Sequence, residues 1–242
     1  MKKTGEGHLL KDDLSNYSDR AYKKPSITVD VVICTIRDGR LMVLLIKRKH
    51  PPFRDSWAIP GGFVNIDKEE TLGDAARREL NEETGVMNIY VEQLGTYGDP
   101  HRDPRTRVIT VAYYALVPWE RLSWQDIRGM DDAKEARWFP LDDPPKTAFD
   151  HVNILRDTLN RIRGKINYFP IAFEFVRDKQ GFTWTELQGV YETVLGEDLI
   201  PGNFRRKINA LYILRQQGIT HEAKKIGRPE ILLNYIEQRK AL

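Results

Sequence analysis

Hydrophobic and polar residues alternate along much of the chain after a polar segment of about 24 residues. Two apolar runs, residues 26–36 and 41–46, flank the tetrapeptide Arg-Asp-Gly-Arg, and this pattern predicts a β-hairpin. The same kind of pattern predicts further strands at residues 90–95, 107–116 and 136–139.

Helical segments are predicted between and after these strands. For the first, Thr71 is the expected N-cap, Asp74 completes a capping box, and Gly85 provides the left-handed stop. A second helix is expected at residues 152–163, with Asp150 as its N-cap. The order of elements therefore indicates a mixed α+β fold.

A domain boundary is predicted where Gly164 ends the second helical pattern and Pro170 follows. Beyond it, Thr183 and Glu186 form another expected capping box, and Gly196 closes that helix. A smaller unit thus begins near residue 165.

This smaller unit has the order of a helix-turn-helix followed by a hairpin. Gly202 and Asn203 precede a helix that we expect to end at Gly218, and residues 219–235 form a hairpin with Gly227 at its midpoint. The domains predicted from these signals are a polar segment 1–24, a first domain 25–164 and a winged helix 165–242.

The composition, 40% hydrophobic and 30% charged, is ordinary for a globular protein and excludes a chain that lives in lipid. No run approaches the roughly 20 apolar residues that a membrane helix needs, and the N-terminal residues lack the apolar core of a signal peptide. Cys34 is the single cysteine, so no internal disulfide can form. These features predict a cytoplasmic protein without a membrane segment.

The net charge of +3 is unevenly distributed. Residues 167–200 hold two basic and six acidic side chains, a net charge of −4, whereas residues 201–242 hold nine basic and three acidic ones, a net charge of +6. A basic tail on a nearly neutral body indicates a local anionic partner.

Three carboxylates of the first predicted helix point in an unusual direction. At 100° per residue, Glu79, Glu82 and Glu83 fall on the apolar side of the helix. That side is defined by Leu72, Ala75, Ala76 and Leu80. Charges that face a core are costly unless they are paired or bind a metal, and a hard divalent cation suits oxygen ligands. Pairing with basic residues of a neighbouring strand, or a helix rotated toward solvent, are the alternatives.

Residues 62–86 resemble the Nudix signature, G-x5-E-x7-R-E-U-x-E-E-x-G-U, in which U is a bulky aliphatic residue. The resemblance implies an α/β/α sandwich with a mixed sheet, and a loop-helix-loop that holds Mg²⁺ or Mn²⁺ against a pyrophosphate. Gly61 and Gly62 would then approach the ligand. Seven residues separate Gly62 from Glu70, where the signature has five, so the loop is longer here.

The resemblance also implies a role for each charged residue of the motif. Glu79, Glu82 and Glu83 would be the catalytic metal ligands, Glu70 an outer carboxylate ligand, and Arg78 the residue that orients them. A metal in this place would neutralise phosphate oxygens and lower the pKa of a bound water.

Three further arginines, Arg102, Arg105 and Arg107, lie close together beside two prolines. Arginine offers paired donors to phosphate or ribose oxygens, so these residues are candidates for ligand binding, and a solvated turn is the alternative. The Arg-Asp-Pro-Arg turn resembles that of ADP-ribose pyrophosphatases, which implies ADP-ribose as the ligand.

Basic residues crowd the first turns of the second helix in the C-terminal unit, where the helix dipole disfavours cations. Such residues can meet phosphates and base edges in the major groove, and a basic wing can reach the adjacent backbone. A solvated helix face and a basic turn are the alternative. The candidate DNA contacts are Asn203, Arg205, Arg206, Lys207, Lys224, Lys225 and Arg228.

Taken together, the Nudix motif, Phe-Asp-His at 149–151 and the segments 182–188, 203–207 and 227–229 resemble Nudix-related transcriptional regulators. The resemblance implies a homodimeric repressor that binds operator DNA and senses ADP-ribose or a related metabolite, with NAD metabolism as its context. Many such regulators have lost glutamates of the motif, and this chain keeps them.

The retained glutamates leave alternatives open. The chain could be a magnesium-dependent ADP-ribose pyrophosphatase, a protein with both activities, or a regulator that responds to a sugar such as arabinose. Glu135 is a candidate general base for hydrolysis, and a plain surface glutamate is the other interpretation of that residue.

Overall fold

The computed structural model describes residues 23–122, 133–220 and 230–238. Its helices are α1 Leu72–Thr84, α2 His151–Lys165, α3 Trp184–Leu195 and α4 Pro201–Leu211. Its strands are β1 Ser26–Arg37, β2 Arg40–Arg48, β3 Trp57–Ala58, β4 Gly61–Phe63, β5 Tyr90–Tyr97, β6 Val108–Leu116, β7 Ala133–Pro140, β8 Tyr212–Thr220 and β9 Glu230–Gln238.

A seven-stranded mixed sheet organises the first domain. The strand order is β3-β2-β1-β6-β5, with β4 added to β1 and β7 added to β2. β1 runs parallel to β6, and the other pairs are antiparallel. The predicted hairpin is confirmed, since Arg37 pairs with Arg40 across the turn.

Alternate residues of β1 belong to two different cores. Val31 and Ile33 pack in a cluster with Leu80 of α1, whereas Val32 packs in a cluster with Ile154 of α2. Because successive side chains of a strand point to opposite faces, the two helices cover the two faces of the sheet. The predicted sandwich of helix, mixed sheet and helix is therefore confirmed.

The helix caps largely follow the sequence. Both bonds of the Thr71 capping box are present, and Gly85 is left-handed with φ 66°. Asp150 occupies the N-cap position of α2 but forms no side-chain cap. The expected stop at Gly164 is wrong, because α2 runs on to Lys165 and Ile166 beyond it is buried.

The C-terminal unit consists of α3, α4 and the hairpin of β8 and β9, which matches the predicted winged helix. The predicted helix to Gly218 is too long. α4 ends at Leu211, because Tyr212 is extended, fully buried and packed edge-on against Phe173. Gly202 also lies inside α4, which begins at Pro201.

The second expected capping box is only half present. The side chain of Thr183 accepts a hydrogen bond from the backbone of Glu186. The carboxylate of Glu186 accepts instead from the backbone N–H of Arg177, at 2.9 Å, so the reciprocal bond of a capping box is missing.

Helix α2 joins the two units. Near its C-terminal end, Arg163 Nε donates to the carbonyl of Val194 in α3 at 3.0 Å. Gln238 of β9 donates to the carbonyl of Tyr168, just beyond α2. The described residues include no helix long and apolar enough to cross a membrane. The domain limits at 24/25 and 164/165 stay a prediction.

Candidate functional site

The guanidinium of Arg78 gathers three of the four candidate metal-binding carboxylates. It donates to both oxygens of Glu70 at 3.1 Å, to Glu79 at 2.7 Å and to Glu82 at 3.2 Å. Arg78 also donates to the carbonyl of Phe63. These contacts place Arg78 where it can orient the carboxylates, and its charge balances part of the acidic cluster. Its role in catalysis stays a prediction.

The two extra residues of the loop are absorbed in a short 3-10 turn. Residues 66–68 form this turn, the side chain of Asn65 caps it, and Glu69 ends it in a left-handed conformation. The backbone N–H of Asn65 donates to Glu70 at 2.5 Å. The bonds from Arg78 and Asn65 hold the pKa of Glu70 below its ordinary value. The longer loop therefore still delivers Glu70 to Arg78.

Close packing requires a glycine at Gly61, where the contact is with backbone, and favours one at Gly62, where it is with a side chain. A Cβ atom at Gly62 would lie 2.5 Å from Glu79 Oε1, and one at Gly61 would lie 2.3 Å from the carbonyl of Val29. Both glycines belong to β4, which pairs with β1. Their missing side chains let this strand lie directly against the carboxylate of α1.

The carboxylates of α1 differ in their exposure. Glu79 and Glu83 are buried, each 7% exposed, as the helical pattern predicts. The prediction is wrong for Glu82, whose side chain is 49% exposed at the edge of the helix. Burial raises the pKa of Glu79, and the neighbouring Arg78 opposes that shift.

The oxygen donors of these glutamates suit a hard divalent cation, and Glu79 is a buried acid that gains from a nearby positive charge. Within the described ranges, however, no group of three or more His, Cys, Asp or Glu side chains is arranged to hold a metal ion. In this conformation the guanidinium of Arg78 is the cation that the carboxylates share. The carboxylates therefore suit a metal by the type of their donor atoms, while their present arrangement is held by Arg78.

A cavity of about 300 Å³ lies beside β4, which we call the glycine strand. It is lined by Gly61 and Gly62, by the acidic Asp30 and Asp103, and by basic side chains. The basic residues at its wall are Arg48, Lys49, Arg102 and Arg105. We call this cavity the basic lobe, and its excess of positive charge favours an anionic ligand.

Arg102, a predicted ligand contact, is turned inward. It is 8% exposed and donates to both oxygens of Asp150, at 2.7 and 3.0 Å. Asp30 Oδ2 lies 3.6 Å from Arg102 Nη2. The engagement of Asp150 by Arg102 explains why Asp150 does not cap α2. Direct contact between Arg102 and a ligand stays a prediction.

The other two predicted arginines differ from each other. Arg105 lines the basic lobe and is held by two bonds to Asp103, at 2.7 and 3.1 Å. Arg107 is exposed and is absent from the lining of the lobe. The geometry therefore favours Arg105 as a ligand contact over Arg107.

Phe149 and His151, to which the sequence pattern assigns no site role, both line the basic lobe. Phe149 has a left-handed φ of 52°, a strained conformation typical of functional sites, and its ring lies 4.9 Å from the guanidinium carbon of Arg48. His151 Nδ1 accepts from the backbone of Ile59 at 2.9 Å. The sequence signal for these two residues is the Phe-Asp-His motif. Their contacts, with Arg48 and Ile59, are made by residues that are distant in the sequence.

The candidate general base, Glu135, lies on β7 and outside the basic lobe. It forms ion pairs with Lys47, at 3.8 Å, and with Arg137. These contacts favour the interpretation of Glu135 as a surface residue.

The predicted DNA contacts of α4 lie on its exposed side. Asn203, Arg205 and Arg206 are exposed, and the guanidinium of Arg205 lies 5.6 Å from the ring centre of Trp184. Lys207 differs, since its ammonium group donates to Asn167 at 2.7 Å. The predicted wing contacts Lys224, Lys225 and Arg228 lie outside the described residues.

Comparison with protein families and curated proteins gives consistent findings. Residues 24–158 match the model of the NUDIX domain, and residues 174–232 match that of the NrtR DNA-binding winged helix domain. The chain is 34% identical to the ADPR responsive transcriptional repressor NtrR of Acinetobacter baylyi, over 81% of this chain and 76% of that protein. It is 41% identical to the ADP-ribose pyrophosphatase of Methanocaldococcus jannaschii, over 62% and 80%.

The fold of this chain is also similar to that of solved structures. Shewanella oneidensis NrtR in complex with a 27mer DNA superposes with a TM-score of 0.72 at 32% identity, over 87% of this chain and 93% of that one. The NUDIX domain of the same protein with ADP ribose superposes with a TM-score of 0.55 at 35% identity, over 62% and 97%.

The buried imidazole of His151 predicts a pH dependence of folding. Burial lowers its pKa below the ordinary value of 6.5, so below that pH the unfolded chain takes up a proton that the folded chain resists. The His151 contribution to the free energy of unfolding is therefore lost as the pH falls below 6.5. We expect His151→Asn, which keeps an acceptor for the backbone of Ile59, to show a smaller drop in Tm between about pH 7.5 and about pH 5.5. Equal drops in the two proteins would contradict this account.

Proposed function

The chain belongs to the Nudix family and carries an NrtR-type winged helix, and we propose that it is a DNA-binding transcriptional repressor that responds to ADP-ribose. The observation that carries this proposal is the coexistence, in one chain, of a basic Nudix cavity and an exposed basic helix, joined by α2. Because the protein's single cysteine, Cys34, cannot form an internal disulfide, we propose that it works in a reducing cytoplasm.

The DNA-binding part of the proposal rests on α4. Arg205 and Arg206 are exposed near its N-terminal end, as expected of a helix that enters the major groove. Trp184 of α3 supports Arg205 through a cation–π contact. We propose that Asn203, Arg205 and Arg206 contact operator DNA. Lys207 is a weaker candidate, because it is bonded to Asn167.

One winged helix buries too little surface for tight, specific binding, and a pair of modules on two half-sites remedies this. We therefore propose that the protein acts as a homodimer on a palindromic operator.

The effector part of the proposal rests on the basic lobe. A diphosphate is bound well by positively charged hydrogen-bond donors. Arg48, Lys49 and Arg105 line this cavity beside the glycine strand. One relative responds to ADPR, and the NUDIX domain of another holds ADP ribose. The diphosphate of that ligand suits the basic lining of this cavity. We propose ADP-ribose as the effector on these grounds.

Helix α2 is the proposed route from effector to DNA. Its N-terminal Asp150 is held by Arg102 at the wall of the basic lobe, and its C-terminal Arg163 is bonded to α3. An anionic effector near Arg102 competes with Asp150 for the same charge and shifts the start of α2. Such a shift alters DNA affinity only if the effector favours one of the two arrangements.

Hydrolysis is a second candidate function, favoured by the intact glutamates. Glu79, Glu82 and Glu83 would hold Mg²⁺ or Mn²⁺, with Glu70 and Arg78 beside them, and the metal would activate water and stabilise phosphate charge. The pyrophosphatase relative of Methanocaldococcus jannaschii supports this proposal. Cleavage of ADP-ribose by the same chain would end the signal that it senses.

We expect Arg205→Ala combined with Arg206→Ala to weaken operator binding at least tenfold and to reduce its salt slope by roughly 2, since about one counterion is released per phosphate contact. Fluorescence anisotropy on duplex DNA from upstream of the gene measures both quantities. Arg137→Ala combined with Arg156→Ala removes the same charge from exposed sites of the Nudix domain and serves as the control. If both double variants bind equally well, the assignment of α4 is wrong.

Arg163→Ala tests the proposed route. We expect the variant to bind ADP-ribose with unchanged affinity, while the factor by which ADP-ribose changes DNA affinity falls toward one. Calorimetry measures the first quantity and anisotropy the second, and Arg156→Ala on the same helix is the matched control. A full response to ADP-ribose in Arg163→Ala would show that the signal takes another path.

Glu82→Gln tests the hydrolytic role with little risk to folding, because Glu82 is exposed. We expect magnesium-dependent release of AMP from ADP-ribose to fall about 10²-fold or more, whereas Glu120→Gln, an exposed glutamate elsewhere, leaves it unchanged. Unchanged release by Glu82→Gln would remove the metal assignment. No release by the unaltered protein would leave the site as a sensor.

A further inference from the structure

A second cavity, of about 550 Å³, lies next to the basic lobe. The two cavities share Arg102 and Phe149 as lining residues, so a ligand that reaches this wall can extend from one to the other. The remaining lining includes Phe53, Tyr97, Asp99, His101, Asp150 and Asn153. We call this cavity the acidic lobe.

The charges of the two lobes are opposite in character. The acidic lobe presents the carboxylates of Asp99 and Asp150, and the one arginine in its lining, Arg102, is already bonded to Asp150 through two hydrogen bonds. A phosphate group is repelled by such a lining, whereas hydroxyl groups can donate to carboxylates. Such a lining favours an uncharged group rich in hydroxyls over a phosphate.

The shape and chemistry of the lining fit a sugar ring. Asp99 and Asn153 are exposed, so their oxygen and nitrogen atoms can reach a ligand that enters from solvent. Asp99 is held in place, because one of its oxygens accepts from the backbone of His101 at 2.9 Å. Phe53 and Phe149 pack edge to face with ring centres 4.9 Å apart and offer an apolar surface to the C–H groups of a sugar.

We propose that the acidic lobe binds the sugar that follows the diphosphate of the effector, through Asp99 and Asn153, while the basic lobe binds the diphosphate. This inference rests on the proposed function, since it divides one nucleotide-linked sugar between the two lobes. It identifies the residues by which the protein distinguishes a nucleoside diphosphate sugar from a plain nucleoside diphosphate.

The test compares ADP-ribose with ADP by calorimetry on the full chain, with EDTA present to prevent hydrolysis. For Asn153→Ala we expect the dissociation constant for ADP-ribose to rise about tenfold, as for loss of one well-formed hydrogen bond, and that for ADP to stay the same. Asp99→Asn should act in the same direction. Asn153 is an exposed helical residue, so its replacement by alanine leaves folding intact.

Two controls define the lobes. Asn160→Ala changes an exposed asparagine further along the same helix, outside the acidic lobe, and should alter neither constant. Arg105→Ala, in the basic lobe, should weaken ADP and ADP-ribose alike.

Other outcomes would overturn the inference. If Asn153→Ala weakens ADP and ADP-ribose equally, the lobe holds the nucleoside; if it weakens neither, no part of the ligand occupies the lobe. Binding of free ribose or arabinose at this lobe without binding of ADP-ribose would break the link to a diphosphate. If the unaltered protein binds neither nucleotide, the proposed effector itself is wrong, which is distinct from a wrong assignment of the lobe.

Discussion

The ion pair between the buried Arg102 and the partly buried Asp150 connects most of the functional parts of this molecule. Its two hydrogen bonds tie the loop before β6 to the start of α2, and its arginine forms the wall between the basic and acidic lobes. Removal of Asp150 would leave the buried Arg102 with the longer contact to Asp30, at 3.6 Å, and breaking a pair that has a buried member is destabilising because the buried charge loses compensation. Any ligand that draws Arg102 away from Asp150 must therefore replace that interaction, and a phosphate is a group that can.

A second cationic centre, Arg78, organises the acidic cluster of the Nudix motif. The clamp on Glu70, Glu79 and Glu82 balances part of the negative charge of this cluster, in which the nearby charges of Glu82 and Asp30 help to raise the pKa of Glu79. A divalent metal at this site would compete with Arg78 for these oxygens, so its binding would require the guanidinium to move away from them. The same residues can thus serve a sensor, with Arg78 as the counter-charge, or an enzyme, with a metal among the glutamates.

Local signals predicted a large part of this arrangement. The capping box at Thr71, the stop at Gly85 and the hairpin around Gly39 each follow from a few neighbouring residues, and the structure confirms them. The helix that was extended to Gly218 shows the limit. Tyr212 ends α4 because it packs against Phe173, and that contact joins residues about 40 positions apart, beyond what a local pattern can convey.

In the candidate site, too, local patterns predict some features and contacts between distant residues decide others. The glutamates of α1 were found from helical spacing and from the motif, although spacing alone did not reveal that Glu82 faces solvent. The residue type of Arg102 predicts a ligand clamp, but its ion-pair partner, Asp150, lies far away in the sequence. A side chain's partner decides its role, and partners distant in sequence appear only once the chain is folded.

The connection between the two units limits how an effector can act. Residues of the sheet, of α2 and of the winged helix, among them Leu45, Ile162 and Val194, belong to one continuous hydrophobic cluster, and close-packed interiors shift between discrete arrangements more readily than they deform. Movement of the winged helix relative to the Nudix domain therefore requires α2 to move as a body. Because Asp150 fixes one end of α2 and Arg163 the other, a change of partner at the cavity wall is the kind of local event that can bias such a movement.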